Sequence, residues 1–126
     1  MYRASLDTNK RAMAVDERYF RTSPSDPLYR AAYYPHNIHF LMVSAQMGGD
    51  GKAAIDAAQK LDASMPAEVV AQFAIMQPVK AAPYTTHAQF SDPDTILKLA
   101  APPANLALVA TMYHYARAVA FARKGD

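Results

Sequence analysis

Cysteine is absent from the chain, which excludes disulfides and thiolate metal sites and accords with a reducing cytoplasm. Charge is scarce: charged residues make up 19% of 126 positions, and thirteen Lys and Arg against eleven Asp and Glu leave a formal charge of +2. The basic residues are scattered, so no concentrated face is available to nucleic-acid phosphates. Long apolar runs are missing too. The N-terminal MYRASLDTNKRAMAVDERYF lacks the apolar centre of a signal peptide, and no run elsewhere approaches the length of a membrane span. The expectation is a soluble cytoplasmic protein that meets neither nucleic acid nor membrane. Clustered β-branched residues, the mark of strands, are lacking as well.

What the chain does hold is 52% hydrophobic residues, recurring at helical spacing and sufficient for the core of one domain over residues 1–126. Residues 2 to 21 contain no Gly or Pro, and Leu6, Ala12, Met13, Tyr19 and Phe20 share a broad helical face that also takes in Asn9 and Asp16. Two polar groups therefore point at the core. TSPSDP, residues 22 to 27, breaks that helix, and Pro35 suits the first turn of a second helix reaching Met47. GGDG, residues 48 to 51, is a turn, and KAAIDAAQKL forms a third helix whose Ala53, Ala54, Ala57, Ala58 and Leu61 permit close axis approach. Pro66 opens PAEVVAQFAIM as a fourth helix. A short helix is predicted over Tyr84 to Phe90, another from Pro93 capped by Asp92, and a long last one over Ala104 to Lys124, ending at Gly125. The pattern predicts an all-α fold of six or seven helices in antiparallel hairpins.

Turn spacing bears on repeats. The turns at Asp92 and Asp126 lie 34 residues apart, the tetratricopeptide period. The runs YYPHNIHFL and YHYARAVAFARKGD, the alanine-rich helix between them, and the pattern of Asn9, Ala12, Asp16 and Tyr19 together resemble a group of bacterial tetratricopeptide-repeat proteins, mostly of unassigned function. The resemblance spans nearly the whole chain. It departs where family members carry an upstream His-Met-Pro-Ser-His segment, Arg-Phe-Gly-x-Trp in place of QFSDPD, and Gly in place of Ala118. It implies a right-handed α-solenoid, and a fragment or minimal version of a longer one, whose unpaired end helices meet a second copy of the chain as a homodimer.

Two constellations carry candidate chemistry. In the second helix His36, His39 and Gln46 occupy one arc, opposite Ile38, Leu41 and Ala45, with Phe40 and Met47 on a third side. A helix so apolar all round is expected in the interior. Histidines three apart can share a metal such as zinc if His114 and Asp16 complete the site; the alternative is that they pack on aromatics and bond the backbone. Were Asn37 the N-cap, His36 would fall outside the helix. In the last helix Leu106, Ala110, Tyr113, Arg117 and Phe121 form a stripe edged by His114. A guanidinium among apolar groups calls for an anion, and Asp16 is the expected partner in a structural pair with Arg117; the other reading is a clamp for a carboxylate or phosphate ligand. GGDG lacks the remaining P-loop residues, and adjacent residues of TTH, 85 to 87, stand about 100° apart and form no nucleophile and base pair.

The resulting expectation is an interaction scaffold binding a peptide or protein segment on a concave face, with Tyr34, His36, His39, Tyr113, His114 and Arg117 lining or underlying it and no catalytic residue or cofactor. The alternative is a small-molecule or metal site, enzymatic or not, built from His36, His39, His114, Arg117 and Asp16.

Overall fold

The first helix of the chain, α1 (Tyr2–Thr22), runs unbroken because nothing in it interrupts the backbone ladder, and it stops two residues before Pro24. The computed structural model describes residues 2–24, 26, 27 and 29–125; within them the regular elements are helices, with no strand. Ser25 and Asp126, both assigned to turns from the sequence, lie outside the described residues. A π turn, Tyr29–Tyr33, leads into α2 (Tyr34–Gly48), followed by α3 (Gly51–Ser64), α4 (Ala67–Gln72), a 3-10 turn at Ala74–Met76, α5 (Gln77–Phe90), α6 (Pro93–Leu97) and α7 (Ala107–Lys124). Backbone contacts gather into two compact units, Met1–Ser64 and Met65–Asp126.

In the first unit α1 and α3 both pack on α2. Pro35 sits in the first turn of α2, where its missing N–H costs nothing, so the helix already includes His36 and Asn37 is not its cap. Gly49 ends it in the left-handed conformation at φ 75°, with its amide turned back to the carbonyls of Ala45 and Gln46. Asp50 then accepts from the Ala53 amide at 3.0 Å and caps the first turn of α3. This two-residue reversal makes α2 and α3 antiparallel. Ile38, Met42 and Leu61 are fully buried, as are Ala45, Ala54 and Ala58. Each of the large three contributes about 1.5–3 kcal/mol through burial, and the alanines let the axes close over them.

The second unit departs from the hairpin pattern. The Gln77 side chain accepts from the Leu108 amide at 3.1 Å, Tyr84 meets Tyr113 edge-on, and Arg123 donates to the Ser91 carbonyl at 3.2 Å. These contacts advance together, so α5 and α7 run parallel. The return between them is made by the five-residue α6 and the Pro102–Pro103 segment. Ile96 of α6 is sealed among Ala88, Ala116 and Ala120.

Asp92 caps α6 as the sequence indicates, accepting from the Thr95 amide at 2.9 Å and its hydroxyl at 2.6 Å. Three boundaries differ. The helix predicted over PAEVVAQFAIM, residues 66 to 76, ends at Gln72, because Phe73 leaves the helical conformation before the 3-10 turn. The helix predicted from Tyr84 begins at Gln77 and passes through buried Pro83; packing of Ala81 and Pro83 outweighs the one backbone bond the ring removes. The last helix begins at Ala107 rather than Ala104, after a turn in which the Leu106 amide bonds the Pro103 carbonyl at 3.1 Å.

Candidate functional site

Asp16, on the core-facing side of α1 by its place on the helical wheel, is 6% exposed. One carboxylate oxygen accepts the Tyr29 hydroxyl at 2.7 Å and the other accepts Asn37 Nδ2 at 2.9 Å. Its neighbour Glu17 takes the other side of α1: its carboxylate accepts from the Tyr34 hydroxyl at 3.0 Å and pairs with Lys60 of α3. Two consecutive acids thus tie α1 to the π turn, to α2 and to α3. The hydrogen bond from Lys60 holds Glu17 below the usual carboxylate range. Burial first, and the bond to Glu17 second, push the Tyr34 phenol up to about 12, while the bond to Asp16 raises Tyr29. At the far end of the same seam Ser5 and Ser44 hydroxyls bond at 2.8 Å.

Above Leu41 the helices α1 and α3 leave a groove of about 360 Å³. Its floor is apolar, from Met13, Leu41, Ala53 and Ala57, and Lys10, Lys52, Lys60, Asp50 and Asp56 stand around the rim. Most of these charges are engaged: Lys52 pairs with Asp56 at 2.6 Å, Lys60 with Glu17, and Asp50 with the Ala53 amide. Lys10 has no hydrogen bond or ion pair among the described residues.

The histidines of α2 lie away from this groove. His36 is exposed, its ring 4.5 Å from that of Phe40, and His39 is half-buried, with burial and then the nearby His36 lowering its pKa. Phe40, Val43 and Met47 are exposed on the same side. The expectation that α2 is interior all round is therefore corrected: α1 and α3 cover two sides and leave the third open within this unit. None of the predicted residues lines the groove; Tyr34 bonds Glu17, which pairs with Lys60 at its rim.

Tyr113, His114 and Arg117 belong to the second unit. Arg117 is half-buried, donates to the Leu97 carbonyl at 3.0 Å, and lies 5.5 Å from the ring centres of both Tyr113 and Phe121. A backbone oxygen and two aromatic faces supply partial negative charge that a half-buried guanidinium can use. His114 packs its ring 5.2 Å from Tyr113. Asp16 and Arg117 thus each find partners within their own units. Among the described residues no three His, Asp or Glu side chains are placed to hold one metal ion.

The sequence singles out none of Glu17, Lys60 and Tyr29, and Asn37 only as a possible cap. Only the position of Glu17 beside the core-facing Asp16 hinted at them. His87, which the sequence presents only as the imidazole of TTH, is buried, with Nδ1 2.9 Å from the Ser91 hydroxyl. The i, i+4 spacing was the available signal. The TTH threonines are occupied locally: the hydroxyls of Thr85 and Thr86 both bond the Ala82 carbonyl, at 2.7 and 3.2 Å.

Fold and site together define a small all-helical protein with two helical units, and no described helix is long and apolar enough to cross a membrane. Comparison with known protein families, with curated proteins and with solved structures finds no match.

Proposed function

We propose that the chain is a protein-interaction module of tetratricopeptide-like kind that holds a short segment of a partner in the groove between α1 and α3. One observation carries this reading: an apolar floor of Met13, Leu41, Ala53 and Ala57 lies beside Lys10, a cation with no partner among the described residues. The segment that fits has a small apolar side chain for the floor and a carboxylate for Lys10. The tie of Glu17 to both Tyr34 and Lys60 supports the reading by fixing the spacing of the groove walls before a partner arrives, which reduces the cost of ordering. The antiparallel α1, α2 and α3 and the residues that resemble tetratricopeptide proteins supply the fold-level argument.

The test is selection of peptides from a random displayed library, followed by affinity measurement on two surface variants. Lys10→Glu reverses the rim charge, and Ala53→Arg fills the floor. Acidic peptides with an apolar anchor are expected, weakened about tenfold or more by either change. Selected peptides that bind both variants as tightly as the parent refute the groove as the site.

A further inference from the structure

A second cavity, of about 350 Å³, opens on the opposite side of α1 and is lined by Val15, Asp16, Tyr19, Asp26 and Tyr29. The carboxylate at its base poses an electrostatic problem. Asp16 is 6% exposed, yet both of its partners, Tyr29 and Asn37, are neutral donors. No ion pair among the described residues reaches Asp16. A buried carboxylate is costly unless a cation accompanies it. Two hydrogen bonds use one lone pair on each oxygen and leave acceptor capacity over.

The walls indicate which cation would serve. Tyr19 and Tyr29 meet at 72° with ring centres 6.4 Å apart, and Tyr29 is held in place by its bond to Asp16 and by stacking on Tyr33 at 5.6 Å. Val15 adds an apolar surface. Aromatic faces with one or two carboxylates attract alkylated ammonium groups, whose charge is spread over methyl or methylene carbons that pack on rings. A metal ion would need several more oxygen or nitrogen ligands than this cavity supplies. We infer that the cavity is a binding site for a compact organic cation, an alkylated ammonium group packed against Tyr19 and Tyr29 beside the Asp16 carboxylate.

The probes are tetramethylammonium chloride, with sodium chloride as control, and a short peptide bearing trimethyllysine, titrated into the full chain and followed by the chemical shifts of the tyrosine ring protons. Saturable shifts with tetramethylammonium, absent with sodium, support a site that accepts the free cation. Saturation by the peptide alone supports the same chemistry delivered by a protein partner. Asp16→Asn keeps the side-chain shape and removes the charge, and is expected to weaken binding at least about tenfold. Tyr19→Leu, at a position 44% exposed, keeps an apolar side chain, is expected to do the same and keeps the test valid if Asp16→Asn fails to fold. Absence of saturable binding by either probe overturns the inference, as does binding that Tyr19→Leu leaves unchanged.

Discussion

Replacing Tyr34 by Phe removes one oxygen from the seam between α1 and α2 and leaves the ring, which packs edge-on to Phe20 at 5.1 Å, in place. The lost hydroxyl donates to Glu17 at 3.0 Å. A hydrogen bond to a charged acceptor contributes about 1.5–3 kcal/mol when sheltered; here both groups are partly open to solvent and Lys60 still pairs with Glu17, so the expected loss is roughly 1 kcal/mol near neutral pH. The pH dependence is more specific. In the fold the phenol is pushed up to about 12 from an ordinary 10. A group whose pKa is raised by folding contributes stability in full below its unfolded value, and that contribution is lost as pH rises through the folded value. The wild-type chain therefore loses stability between about pH 10 and 12, where the unfolded chain releases the proton first. A rise from 10 to 12 corresponds to about 2.7 kcal/mol for a fully sheltered group, and screening reduces this to about 1 kcal/mol. Urea unfolding followed by far-ultraviolet circular dichroism, from about pH 9 to about 11.5, measures it. Tyr34→Phe is expected to start lower and fall less steeply, with the residual slope coming from Tyr29, whose pKa its bond to Asp16 also raises. Equal slopes for the two proteins would refute the reasoning, because the hydroxyl would then not distinguish folded from unfolded states.

At the acid end His39 behaves in the opposite sense. Burial, then His36, lowers its pKa below 6.5, so the unfolded chain takes up a proton first as pH falls below 6.5; stability drops on acidification through that window, and His39→Gln flattens the drop in the same denaturation assay. Ile38→Ala empties a fully buried position at the centre of the first unit and is expected to cost about 2–5 kcal/mol; a loss under about 1 kcal/mol in urea unfolding would mean that the α1 to α3 packing is misread. The adjacent glycines should respond with opposite signs. Gly49→Ala meets no steric neighbour but forces a side chain to φ 75°, costing about 1–2 kcal/mol. Gly48→Ala, in the last turn of α2 with only an ordinary 3.8 Å contact to Tyr2 Cβ, gains up to about 0.5–1 kcal/mol of helix preference; thermal melts of the two variants on either side of the wild type check this.

What could be read in the sequence and what could not divides along physical lines. Helix limits at Pro35, Gly49, Asp92 and Gly125 were legible because each residue acts on its own backbone within a turn. Pro83 misled for the complementary reason: its local penalty is real, but burial against the rest of the second unit, a term of distant origin, decides the outcome. The helical wheel gave the direction of Asp16 correctly and could not name its partners, which come from 13 and 21 residues away. The stretch YYPHNIHFL shows both effects at once. Its histidines attract attention through their chemistry, yet successive residues on a helix turn by 100°. Tyr34, Asn37 and Leu41 consequently face α1 and α3, where Glu17, Asp16 and the groove engage them, while His36 shares the open side with Phe40. The residues that the fold holds most tightly here are the neighbours of the histidines, not the histidines themselves. Substitution of Asn37 or Tyr34 should therefore disturb both sites in the first unit more than substitution of either histidine.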